Sequence, residues 1–221
     1  MKYHRKIDFS EQRSAHRKII LEQTIQNLKK RAFDAEYFKD MENAAKAILK
    51  MIPKKSSVGI PGSITVREMD LVNKLEKRGN KVWHHWRPEL AGKSDRVIRL
   101  KENNSDYYLT GANAITTSGE IINIDGVGNR VAGMIYGPDN VIIIAGYNKI
   151  VHSVDEGIKR SKDIAATMNA QRISSATPCA KTGVCTDCNA PRRICRVISI
   201  IHYRPWQTAI TVMLINQQLG F

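Results

Sequence analysis

An α/β sandwich built around a mostly parallel sheet is the fold class this sequence predicts, on three observations. Val141-Ile142-Ile143-Ile144-Ala145 is an unbroken aliphatic run, the mark of a strand buried on both faces. Shorter runs of that kind alternate along the chain with segments of helical period. The 221 residues, 42% of them apolar, suffice for one domain whose core needs no disulfide staples. The composition excludes a disordered chain, a collagen-like repeat and a cysteine-dense secreted scaffold.

Read in order, the chain divides into N-terminal helices over 8–52, an α/β core over 56–175, a four-cysteine loop over 176–196 and C-terminal strands over 197–221. Asp8 with Glu11, or Ser10 alone, caps a long first helix whose apolar stripe is Leu21, Ile25, Leu28 and Ala32. Asp34 caps a second, with Tyr37, Met41, Ala44, Ala45, Ile48 and Ile52 on one face, and Pro53 stops it. The two make a helical hairpin. Residues 57–60 form a buried strand, and a helix over 66–78 closes at Gly79. Strands are expected over 81–86, 96–100 and 106–110. Residues 114–125 read as a hairpin turning at Ser118-Gly119. A short helix over 126–136, a central strand over 141–145, a helix over 154–170 and strands over 197–202 and 209–214 complete the order.

The net charge is +14. It falls mainly on the N-terminal region and the tail, and the stretch 111–175 is neutral, with six basic and six acidic residues. Glu11, Glu22, Glu36 and Glu42 interrupt the N-terminal basic residues, so a solvated helix face explains them better than a nucleic-acid surface. A small anion or an acidic partner also suits this field. The longest aliphatic run is far shorter than the ~20 residues of a membrane span. The charged start, Met1 to Lys6, is followed by no apolar h-region, so no signal peptide is expected and the cytoplasm is the expected compartment.

Gly59-Ile60-Pro61-Gly62-Ser63-Ile64-Thr65 leads from a strand into a helix. Its small residues expose backbone N–H groups where open α/β sheets collect ligands. Thr65 and Glu68 have capping-box spacing. Gly62, Ser63 and Thr65 are therefore candidate contacts to a phosphate or carboxylate, with an ordinary capped βα turn as the competing explanation. Asp125-Gly126-Val127-Gly128-Asn129-Arg130 is a second candidate: Gly126 and Gly128 permit close approach, and Arg130 offers a bidentate fork. Asn113, Ser118 and Gly119 lie at a strand exit and a hairpin turn that border the same expected cleft. His84 and His85 read as alternating strand residues, and His152 and His202 stand alone. No G-x-S-x-G elbow, P-loop or H-E-x-x-H helix occurs.

Cys179, Cys185, Cys188 and Cys195, the only cysteines, fall within 17 residues as C-x5-C-x2-C-x6-C. A chain without an export signal favours thiols over disulfides, so four thiolates on one metal centre are expected. Structural zinc usually shows two paired knuckles, and here there is one. Four cysteines on a single proline-punctuated loop suit a 4Fe–4S cluster, with zinc and free redox-active thiols as alternatives. Arg192, Arg193 and Arg196 offset the thiolate charge.

Together these residues resemble the LUD (lactate-utilisation) domain family. The likeness rests on the 59–65 loop, on Leu109-Thr110-Gly111-Ala112-Asn113-Ala114 leading to Thr117-Ser118-Gly119-Glu120, and on Asp125 through Ala132. The tail from Thr177 to Cys195 is similar to that of short, stand-alone lactate-utilisation proteins. The resemblance implies a three-layer α/β/α fold akin to ribose-phosphate isomerases, CoA transferases and folate cyclo-ligases. It implies a part in iron–sulfur-dependent oxidation of L-lactate or a related 2-hydroxy acid, beside other lactate-utilisation subunits or an electron acceptor. CoA transferases of this superfold use a nucleophilic glutamate; the acid at the comparable hairpin is Glu120, which does not match that pattern. The leading expectation is a redox protein holding a small carboxylate or phosphorylated metabolite. The competing one is a non-redox anion-binding protein with a structural zinc loop.

Overall fold

The computed structural model describes residues 8–87 and 95–221. The first residues, on which the signal-peptide expectation rests, lie outside that range. Helix α1 (Ser10–Lys30) opens the fold, and Asp8 Oδ1 accepts the Ser10 N–H at 2.8 Å. It is followed by a strand, β1 (Asp34–Phe38), and then α2 (Met41–Met51). The expected helical hairpin is therefore a helix–strand–helix unit. Asp40, not Asp34, caps α2, accepting from Asn43 N at 2.8 Å. Five residues are too few to separate the two periods, and Ala35 buries by packing in the sheet.

Six parallel strands form the main sheet in the order β1, β10 (Ala209–Ile215), β7 (Asn140–Gly146), β4 (Tyr107–Gly111), β2 (Ser57–Gly59) and β3 (Lys81–Trp83). The middle of β7 is flanked on both sides, with Ile143 opposite Val212 and Thr110. Alternation then sends side chains to two cores. Val141, Ile143 and Ala145 join Val212 and Leu214 beneath Leu21, Ile25 and Leu28 of α1. Ile142 and Ile144 join Met213 and Ile215 against Ala44, Ala45 and Ile48 of α2, with Leu71 and Leu75 of α4 (Leu71–Lys77). The result is the expected three-layer α/β/α sandwich.

A second, four-stranded sheet, β8 (Ile150–Val151), β5 (Ala114–Thr116), β6 (Ile121–Asp125) and β9 (Val197–Ile201), stands beyond the carboxyl end of β4. Its β5–β6 hairpin turns at Ser118-Gly119 as expected. The expected strand over 96–100 is instead helix α5 (Asp95–Asn103). Ile98 and Glu102, four apart, face inward while Val97 and Leu100 are exposed, so a helical period overrides the β-branched composition. A longer helix runs from α7 (Val154–Arg160) through a π-helical segment (Ser161–Ala166) into α8 (Thr167–Arg172). No described helix is long and apolar enough to cross a membrane.

Candidate functional site

Beyond the carboxyl end of β2 the chain turns toward β3, whereas from β4 it proceeds to β7 on the opposite side. Such a switch point opens a crevice in an α/β sheet. Here an inner pocket of about 70 Å³ is lined by Ser63, Thr65, Gly111, Asn113, Arg130, Lys149 and their neighbours. An outer chamber of about 350 Å³ adjoins it, sharing Gly62 and Arg130 and adding His85, Trp86, Arg99 and Arg172.

The loop after β2 is shaped by Gly62, at φ +108°, in a conformation L side chains rarely adopt. Trp86 lies where its Cβ would be, and Arg67 covers the Trp86 ring at 3.9 Å. Helix α3 (Ile64–Glu68) starts two residues earlier than capping-box spacing predicts: Ser63 Oγ accepts Val66 N at 3.3 Å. Glu68 is thereby free to accept the Gly220 N–H at 2.7 Å. Thr65 is buried with its hydroxyl toward the pocket, 3.5 Å from the position a Cβ on Gly111 would take. Ser63 Oγ lies 3.0 Å from that same position, so a side chain at 111 would crowd both hydroxyls.

Asn113 ties the β4 exit to the next loop. Its Oδ1 accepts from Ile124 N at 2.7 Å and from Arg130 Nη2 at 3.0 Å. Arg130 also donates to the Ile124 carbonyl. The glycine loop before α6 (Asn129–Ile135) closes on its own first residue. Asp125 accepts the N–H groups of Val127, Arg130 and Val131 at 3.0, 2.9 and 3.2 Å. Desolvation raises the Asp125 pKa, but the Arg130 charge and these N–H groups outweigh it and hold it below the ordinary value. The loop thus presents to a ligand the Arg130 side chain rather than its backbone. Gly126 and Asn129 border the outer chamber, and Gly128 faces a separate surface groove with Asn129.

Sequence reading missed three residues here. Lys149 is 3% exposed, follows the carboxyl end of β7, and donates to the main-chain oxygen of Phe221. Burial first, then the charges of Arg160 and Arg130, bring its pKa down to about 7 against an opposing pull from Glu68. Its place just after the central strand was the available signal. Arg160 clamps three segments, donating to Asn148 O at 2.8 Å, Asn113 O at 2.5 Å and Phe221 O at 3.5 Å. His85, read as a strand residue, lies past the end of β3, and its Nδ1 meets the fully buried Glu102 carboxylate at 2.7 Å. Asn129 Nδ2 donates to the second Glu102 oxygen at 3.4 Å.

Ser118 and Gly119 are not brought to the cleft. Their turn packs on the end of α1, where Arg31 Nε donates to Ser118 O at 2.6 Å and Arg31 pairs with Glu120 at 2.5 Å. Glu120 is further held by Ser118 Oγ at 2.6 Å and by Thr116. Its carboxylate is a structural anchor for α1.

The four cysteines are half-buried free thiols. Among the described residues no group of three or more His, Cys, Asp or Glu side chains is gathered as a metal would need. Arg193 holds the loop, donating to Cys188 O at 2.7 Å, Cys195 O at 3.0 Å and Asp187 Oδ1 at 2.7 Å. Ile194, from the same loop, lines both chambers of the cleft.

The fold is thus an α/β/α sandwich with a crevice at its switch point, lined by Arg130 and Lys149. The LUD-domain family model matches residues 21–215, and the chain belongs to that family. Its structure is similar to a DUF162-family protein from Deinococcus radiodurans, with a TM-score of 0.52 at 16% identity, over 90% of this chain and 98% of that one. A looser likeness to eIF2B delta from Chaetomium thermophilum has a TM-score of 0.30 at 15% identity over 64% and 54% of the two chains, and carries no argument. No curated protein matches the chain.

Proposed function

We propose that this LUD-domain protein serves lactate utilisation by holding a small carboxylate of the 2-hydroxy or 2-oxo acid class in the inner pocket. One observation carries the reading: among the described residues the pocket lining includes Arg130 and Lys149, with the hydroxyls of Ser63 and Thr65 and the Asn113 amide, and no acidic side chain. An arginine fork with no acidic side chain in the pocket wall favours an anion. The volume suits a few-carbon acid better than a nucleotide. Titration with L-lactate, pyruvate and an uncharged analogue tests this by calorimetry or ligand-observed NMR. Binding of the acids that Arg130→Gln weakens supports it; equal binding of the uncharged analogue removes it.

The finer proposal is iron–sulfur-dependent oxidation of the 2-hydroxy acid to the 2-oxo acid, beside an electron acceptor or other lactate-utilisation subunits. It rests on the count and spacing of the four cysteines. A 4Fe–4S cluster would supply one-electron transfer, and its loading would have to regroup the thiols from the Arg193-centred arrangement. The Cys185–Cys188 knuckle supports a second reading, a non-redox metabolite-binding protein whose loop takes structural zinc. Anaerobic purification with iron, sulfide and zinc analysis separates them: stoichiometric zinc without iron ends the electron-transfer proposal.

A further inference from the structure

We infer that Lys149 is a nucleophile that forms an imine with the keto carbon of a 2-oxo acid whose carboxylate is held by Arg130. This deepens the proposed function and rests on its reading of the pocket as a small-carboxylate site. Three observations converge on it. Lys149 and Arg130 both line the inner pocket, so one cation is available for a carboxylate while the amine faces the rest of the ligand. The amine has a single hydrogen-bond partner, the Phe221 main-chain oxygen, among the described residues. The charged side chains around it are chiefly cationic: Arg130 and Arg160, with Glu68 the one acidic side chain acting on it among the described residues and already accepting from Gly220.

A lysine desolvated beside other cations is the arrangement that frees an amine for carbonyl attack near neutrality. Consistent with that, its pKa is brought down to about 7, so a large fraction is unprotonated where an ordinary lysine keeps only about one amine in a thousand free. In the step itself the nitrogen lone pair forms a C–N bond to the keto carbon as the carbonyl π pair moves to oxygen. The two amine hydrogens then leave with that oxygen as water, giving C=N. No oxidant is needed. The Thr65 and Ser63 hydroxyls share the pocket with the departing oxygen.

The test is incubation of the intact protein with pyruvate and sodium borohydride near neutral pH, followed by mass spectrometry and peptide mapping. In parallel, pyruvate binding is followed by saturation-transfer NMR without borohydride. The expected result is a reduced adduct of one pyruvyl group, at least about tenfold richer at Lys149 than at any other lysine, and absent from Lys149→Arg. Mapping of the unmodified sequence stands even where that variant fails to fold. Binding without an adduct, or an adduct spread over surface lysines, overturns the imine and leaves the carboxylate site intact. Neither binding nor adduct overturns both.

Discussion

The His85 imidazole meets the Glu102 carboxylate at 2.7 Å in the wall of the outer chamber, and Glu102 has no exposed surface. A buried carboxylate is costly unless paired, so each residue depends on the other for its place. Glu102→Gln is expected to lower folding stability by about 1–3 kcal/mol, since it replaces a charge-assisted bond with a neutral one. Urea unfolding checks this. An unchanged midpoint would show that the pair contributes nothing net.

Lys149 makes stability depend on pH in an unusual direction. Its folded pKa of about 7 lies below the unfolded value of 10.5, so between them the unfolded chain binds more protons. Stability therefore rises with pH through that window and is flat below it. Relative to Lys149→Met, the wild type should gain on the order of 3 kcal/mol from pH ~7 to ~9.5. Paired denaturant titrations across this range measure it, and parallel curves would contradict the burial of a titrating amine.

Gly111 leaves room that a ligand can use. A Cβ there would come within 3.0 Å of Ser63 Oγ and 3.5 Å of Thr65 Oγ1. Gly111→Ala should fold with a loss of about 1 kcal/mol while weakening carboxylate binding about tenfold or more. Binding and melting measured on one preparation separate the two effects. Unchanged affinity would place the ligand elsewhere.

Arg193 bridges the carbonyls of Cys188 and Cys195 and the Asp187 carboxylate, which is shared with Lys162 at 3.2 Å. Arg193→Ala should loosen the 179–195 loop without unfolding the sandwich. The readout is faster backbone hydrogen exchange in that loop with little change in β7. Exchange that stays the same would mean the loop is held by other contacts.

Much of this architecture is legible in the residues. The β7 run declares a doubly covered strand, and Ser63, Thr65, Asn113 and Arg130 sit at the strand exits where such folds bind ligands. What stays hidden depends on distance along the chain. His85 and Glu102 are brought together only by the packing of α5 beside β3, and no local period signals it. Ser118 and Gly119 have the turn chemistry of a loop at a cleft, yet Arg31, from another element, claims them for α1. The Gly126–Gly128 loop looks like an anion cradle because it is one, and the anion is Asp125.

The π-helical turn at Ser161–Ala166 works as a phase shifter. Arg160 and Asn169 are nine positions apart, which an uninterrupted α-helix would set roughly half a turn out of step. An i→i+5 turn absorbs one extra residue and winds the following helix back by about 100°. Arg160 and Asn169 are thereby brought toward a common side, the first clamping the strand exits and the second lining both chambers. The helix thus meshes with the crevice at two teeth, and rewinding the segment as a plain α-helix with all its residues kept would disengage one of them.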